Sequence, residues 1–369
     1  MNIVEFDNLL DKMPVVASIN PVSLCFLRQP IRRFDSTDAM SLELDKLSEL
    51  PVNRWVSLDS NLCHGYRFPI VRCDHNPFTP ELNAILFDHF DSIAQSMLCQ
   101  SQIATRILKE SDDADIIVLL ILDGLSFGDL SNVATDLRGR IEPCLVDVPT
   151  LTHLAFPNIV GALNHQRRIA ETLFNNGFQQ RLGFTYWTRQ KNDLTNQLFR
   201  SFAPSQMFKI SRFSEIYATI AQSEIKNRTY IQIVRNGLDE YAHRSRQMIQ
   251  KQPFIGEFVK DFLELGELFK QNNCRANLYL TSDHGLLWKS DFSPEIIDNK
   301  PQLSLRFFDS DEKKETSLGT YKRWKIGEEY YYCLNYPYSH RHFHMNEQAT
   351  HGGISFQESI VPFVSVQIR

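Results

Sequence analysis

Seven apolar residues in a row, Ile116 to Leu122, end abruptly at Asp123-Gly124. No other feature constrains the fold of this chain as much. A strand that faces water on one side alternates apolar with polar residues. An unbroken Ile/Leu/Val run therefore belongs to a strand covered on both faces, as in parallel sheets. A membrane span needs roughly 20 such residues, so this run predicts a buried strand and not a bilayer crossing.

Other segments repeat the theme. Residues 229–234, 277–281 and 360–366 read as strands, and 125–137, 152–164, 190–203, 212–222 and 253–270 read as helices. Strands alternating with helical lengths predict an α/β fold with a mainly parallel sheet flanked by helices. Such sheets bind ligands beyond the carboxyl ends of their strands, so polar chemistry is expected where an apolar run stops. Residues 165–227 and 288–345 read as cap-like insertions. The second is β-rich, with aromatic pieces around the charged turn Asp309 to Glu315. Within it, Ser339 to His344 alternates histidines and reads as a solvated edge strand.

Residues 1–110 read as a mixed N-terminal region and 111–369 as the catalytic domain, the break falling at Ser111-Asp112-Asp113. Near the end of the first region, Pro80 suits a first helical turn. Leu82, Leu86, Phe90, Ile93 and Met97 then share one helical face.

Composition narrows the function. The net charge of -5 excludes a general nucleic-acid-binding field. It does not exclude a phosphorylated substrate, because bound metals can supply local positive charge. Seven cysteines without a CxxC pair fit reduced thiols. The start MNIVEFDNLLDKMP carries no leader-like apolar core, so a cytoplasmic location is expected.

Five short pieces carry candidate chemistry. Asp123 ends the first strand, a natural place for a hard-metal ligand. In Pro149-Thr150-Leu151-Thr152, a threonine stands where a helix should begin. There it would either cap N–H groups or act as a nucleophile whose charge the helix terminus stabilises. Asp239 and His243 lie four apart, on one face of a helical turn, as a zinc half-site would. Thr281-Ser282-Asp283-His284-Gly285 ends another strand, with a glycine to let the chain turn. His351-Gly352-Gly353 precedes a Ser355–Glu358 capping box and the final strand. Together they offer three carboxylates, three imidazoles and a hydroxyl, about what two ions with mixed N/O ligands need.

On LLILDG, PTLT, DEYAH, LTSDHG and HGGISFQESIVPFV, the chain from Ala114 to Arg369 resembles the PglZ domain of the alkaline-phosphatase superfamily. The resemblance implies an alkaline-phosphatase-like fold and a phosphodiesterase or phosphatase with two divalent ions, Zn2+ or alternatively Mn2+. One ion would take Asp123, Thr152, Asp283 and His284, and the other Asp239, His243 and His351. Thr152 would be the nucleophile, with Thr150 the alternative. Glu240 and Ser282 are candidates to orient the imidazoles. The resemblance also implies a bacterial phage-defence (BREX-like) or signalling context with protein partners from such a system. A structural or regulatory subunit of that complex is the competing expectation, and phosphoryl transfer to a second alcohol is another. A sulfatase is disfavoured, since the Cys/Ser-x-Pro-x-Arg setting is absent.

Overall fold

A computed structural model describes residues 79–369 except 132–136, 138, 164–167, 187–191, 224, 226–227, 245–249, 291, 298–302 and 317–318. Most of the expected N-terminal region, residues 1–78, therefore lies outside the described residues. Three helices come first: α1 (Thr79–Asp88), α2 (Phe90–Ser96) and α3 (Gln100–Lys109). Next are β1 (Ile116–Leu122), α4 (Phe127–Ser131), β2 (Arg140–Leu145), α5 (Thr152–Ile159), α6 (Ile169–Asn175) and β3 (Gln180–Thr185). After these stand α7 (Asn192–Leu198), β4 (Met207–Lys209), α8 (Ser214–Gln222), β5 (Thr229–Arg235), α9 (Leu238–Arg244), α10 (Lys251–Gln271) and β6 (Ala276–Ser282). Short β7 (Leu287–Trp288) and β8 (Glu295–Ile296) precede β9 (Phe307–Ser310), β10 (Tyr321–Ile326) and β11 (Glu329–Leu334). The last elements are β12 (Tyr338–Ser339), β13 (Ala349–Thr350), α11 (Phe356–Ser359) and β14 (Ile360–Ile368).

The main sheet has seven strands in the order β2-β14-β6-β1-β5-β3-β4. β1 lies at its centre, parallel to β5 and β6, and every residue of it is buried. The unbroken apolar run has a simple cause. Ile117, Leu119 and Ile121 join one core with residues of α3, α5 and α6, while Ile116, Val118, Leu120 and Leu122 join a second with residues of α8 and α10. Both faces are covered by helices, and each fully buried Leu or Ile contributes about 1.5–3 kcal/mol relative to exposure. Only β14 runs against its neighbours, antiparallel to β6 and β2. It therefore starts where the others end, which brings the segment before it to their carboxyl edge.

Several expectations change. Residues 165–227 are not a separate cap, because β3 and β4 from this stretch extend the main sheet, β3 pairing with β5. The strand Gln-Arg-Leu-Gly-Phe-Thr is hard to read because it lies next to a three-residue edge strand and is only half-buried at its start. β2 is equally hidden, since Glu142 and Pro143 interrupt it, which an edge strand tolerates. The single helix expected from Thr79 is two, broken at His89, although Leu86, Phe90 and Ile93 still share one core with Leu145 and Ile360.

The expected β-rich insertion is present as a three-stranded antiparallel sheet, β10-β11-β9. Its Tyr331, Phe307, Trp324 and Ile326 pack against the core that contains α5. His340 is not on a solvated edge. It is fully buried, with its ring nitrogens 2.9 Å from the Ser304 carbonyl and 2.9 Å from the Tyr321 hydroxyl. Among the described residues, no helix is long and apolar enough to cross a membrane.

Candidate active site

The register of the central strands sets the site. Leu122 stands opposite Arg235 on β5 and opposite Ser282 on β6, so three strands end level. Asp123 and Asp283 leave the sheet side by side, and the Asp283 N–H still bonds to the Leu122 carbonyl at 3.2 Å. From β5 the chain passes into α9, where the Asp239 N–H lies 3.3 Å from the Asp123 carbonyl. Asp123, Asp239, Asp283 and His284 are all buried.

The donor atoms of Asp123, Asp283 and His284 lie within 4.8 Å of one another. His284 Nε2 is 3.2 Å from Asp283 Oδ2 and 3.9 Å from Asp123 Oδ1. The other Asp283 oxygen accepts from the N–H groups of Gly124 at 3.0 Å and His284 at 2.8 Å, which orients the carboxylate. Beside this group, His351 Nε2 is 3.7 Å from Asp239 Oδ1. The two imidazoles stack, with centroids 4.0 Å apart and planes at 13°.

The partners of the two rings orient them. His284 Nδ1 faces the Gly285 carbonyl at 3.1 Å, and His351 Nδ1 faces the Thr150 carbonyl at 2.8 Å. A carbonyl only accepts, so each Nδ1 carries a proton and each Nε2 is turned toward carboxylates. An Nε2 set among carboxylates is stable only with positive charge there, carried by a ring proton or by a bound cation. With carbonyls fixing the imidazoles from behind, the group could hold a divalent ion. Main-chain carbonyls face the Nδ1 atoms of these two rings, and Ser282 meets His284 at its backbone, its Oγ 2.8 Å from the His284 carbonyl. That hydroxyl also bridges backbone, accepting from Leu125 N–H at 2.8 Å and lying 3.0 Å from the Leu122 carbonyl.

Thr152 is the first residue of α5, and Leu151 occupies the capping position. Its side chain does not cap the helix. Its Oγ1 is 3.2 Å from His284 Nε2, at the buried carboxylates. Thr150 is engaged elsewhere, its Oγ1 donating to the Gly353 carbonyl at 3.0 Å and accepting from Gly352 N–H at 2.9 Å. Gly352 has a φ of 104°, a left-handed conformation that suits glycine, and its turn brings His351 to the site. Gly285 does a different job from the one expected. It has no left-handed φ, but a Cβ there would meet the Gln357 carbonyl oxygen at 1.9 Å, so glycine is needed for close approach.

The structure thus brings Asp123, Thr152, Asp283 and His284 into one group and sets Asp239 and His351 beside it. His243 lies on α9 one turn after Asp239, and its side chain falls outside the described residues. The mixed carboxylate and imidazole donors fit a divalent ion of the borderline type. Sequence reasoning missed two supports. Arg306 is fully buried against Glu358, its Nη2 2.9 Å from Oε2, and Glu358 in turn accepts from Gly353 N–H at 2.9 Å. Gln100 is fully buried beneath Asp283. A lone arginine inside the aromatic run Leu-Ser-Leu-Arg-Phe-Phe was the available signal for the first, and the second had none.

Residues 102–366 match the family model described as the BREX system PglZ alkaline phosphatase-like domain. No curated protein matches the chain. Among solved structures, phosphonoacetate hydrolase from Sinorhizobium meliloti is similar at 12% identity and a TM-score of 0.46, over 68% of this chain and 90% of that one. Murine ectonucleotide pyrophosphatase/phosphodiesterase 5 is similar at 10% identity and a TM-score of 0.44, over 68% of this chain and 87% of that one.

Proposed function

The chain belongs to the PglZ family of alkaline phosphatase-like domains, and on that premise we propose that it is a two-metal phosphoester hydrolase with Thr152 as nucleophile. One observation carries the reading. The Thr152 hydroxyl, on the first turn of a helix, lies 3.2 Å from His284 Nε2 at a buried carboxylate–imidazole cluster. One ion is assigned to Asp123, Thr152, Asp283 and His284, and the other to Asp239, His243 and His351. The mixed donors favour Zn2+, with Mn2+ the alternative. Bound there, the ions would supply Lewis-acid charge at the attacking and leaving oxygens.

The residues of the chain do the rest. As the Thr152 hydroxyl loses its proton, Oγ1 forms a bond to phosphorus and the bond to the leaving oxygen breaks in line. A phosphothreonine and a free alcohol result. N–H groups of the first turn of α5 face the charge that builds on the phosphoryl oxygens. Water then attacks the phosphothreonine, the Oγ1–P bond breaks, and Thr152 is restored. A phosphodiester is favoured over a monoester as substrate. The family description names a BREX system, so partner proteins of a bacterial defence complex belong to the proposal.

The test compares a phosphodiester, a phosphomonoester and a sulfate ester with zinc or manganese supplied. The expected result is diester turnover above monoester turnover, no sulfate release, and a loss of about 10³-fold or more in Thr152→Ala. No turnover of any ester by metal-loaded protein would favour a structural or regulatory subunit instead.

A further inference from the structure

We propose that Gln100 is a positioning residue for the metal site, its side-chain amide locking the bend that carries Asp283 and His284. The inference rests on the metal-binding reading above. Gln100 is the first residue of α3, lies just ahead of the family match, and is fully buried. Its Nε2 lies 2.8 Å from the Ser282 carbonyl and 2.6 Å from the Asp283 carbonyl. Both partners only accept, so the amide group there must be the NH2 end, with both hydrogens in use.

Those two carbonyls are successive. In an extended strand successive carbonyls point to opposite edges, so one nitrogen reaches both only where the chain has bent. Gln100 therefore grips the end of β6 at the point where it turns Asp283 and His284 into the site. The acceptor half of the amide, Oε1, is buried with no partner among the described residues. An apolar side chain would avoid that cost, so the amide suits positioning better than packing.

The start of α3 is itself anchored to the other half of the site. The Leu98 carbonyl accepts from Leu145 N–H at 2.8 Å. Ser101 bonds to Asp147 through its N–H at 3.2 Å and its hydroxyl at 2.5 Å. Asp147 also accepts from Asn158 Nδ2 at 2.7 Å, and Asn158 belongs to α5, the helix that begins with Thr152. Residues 98–101 thus connect the strand end bearing Asp283 with the helix bearing Thr152.

The experiment measures zinc affinity of the full chain by competition with a chromophoric chelator, for wild type, Gln100→Met and Ile107→Val. Met is close in size and cannot donate, while Ile107→Val trims a buried residue of the same helix without touching the site. Gln100→Met should weaken zinc binding about 10- to 100-fold, the range for groups that orient ligands, and Ile107→Val should bind as wild type. If Gln100→Met does not fold, Gln100→Asn, whose amide is one methylene short of both carbonyls, should show the same weakening. Wild-type affinity in the folded glutamine variant, or equal weakening in Ile107→Val, would overturn this inference and leave the metal reading standing. A wild-type chain that binds no zinc or manganese would overturn both.

Discussion

Thr150 and Thr152 sit two positions apart, and their hydroxyls meet different surroundings. That of Thr150 is buried between Gly352 N–H and the Gly353 carbonyl, holding the loop that presents His351. That of Thr152 faces His284. Thr150→Val keeps the shape and leaves two backbone groups unpaired, so it should lower stability by about 1–3 kcal/mol. Thr152→Val should stay within about 0.5 kcal/mol of wild type. Denaturant unfolding of the two variants checks the contrast, and equal losses would contradict it. From sequence, Thr152 is favoured with Thr150 kept as the alternative, because what separates them is a loop about 200 residues away. The residues at strand ends were legible because an apolar run must stop somewhere, and the polar residue at its end faces the ligand edge of the sheet. The supporting groups Gln100 and Arg306 were not, since each acts through backbone carbonyls of distant segments.

At the level of elements, the level ends of β1, β5 and β6 make the site, and their starts are pinned as well. Arg275, just before β6, bonds to Asp115, just before β1, through Nε at 3.1 Å and Nη2 at 3.0 Å. The Arg275 guanidinium holds the Asp115 carboxyl below its ordinary range. A carboxyl lowered on folding contributes stability above its unfolded value, about 3.9, and loses it as pH falls through the folded value. Asp115→Asn should therefore lower Tm slightly at neutral pH and match wild type once the solution is acidic enough to protonate Asp115. The effect is small because the pair is at the surface. Thermal melts across pH test this, and a gap that widens in acid would reverse the sign of the account. The central strands were readable from their apolar runs. β2 and β3 were not, because strands at or near a sheet edge carry polar residues, proline and glycine that blur the pattern.

In the whole molecule, a buried ion pair adds to the apolar contacts that hold the β9–β11 sheet against the main sheet. Arg306, just before β9, binds Glu358 in α11 and also donates to the carbonyls of Asn335, Tyr338 and Ile354. Removing one member leaves the other charged and buried, so Arg306→Met should cost about 3–5 kcal/mol, more than its change in volume explains. Adding Glu358→Gln to that variant should recover part of the loss, and additive losses would contradict the pairing. The same pair stands behind Gly353 and hence behind His351, which ties the stability of the β-rich insertion to the geometry of the site. On the proposed reading, the buried carboxylates and imidazoles hold divalent ions around Thr152. Elemental analysis of the purified chain tests it most directly. Wild type and Thr152→Ala should each carry about two zinc or manganese ions per chain, and Asp283→Asn clearly fewer. A wild-type chain without divalent metal, unchanged by Asp283→Asn, would contradict it.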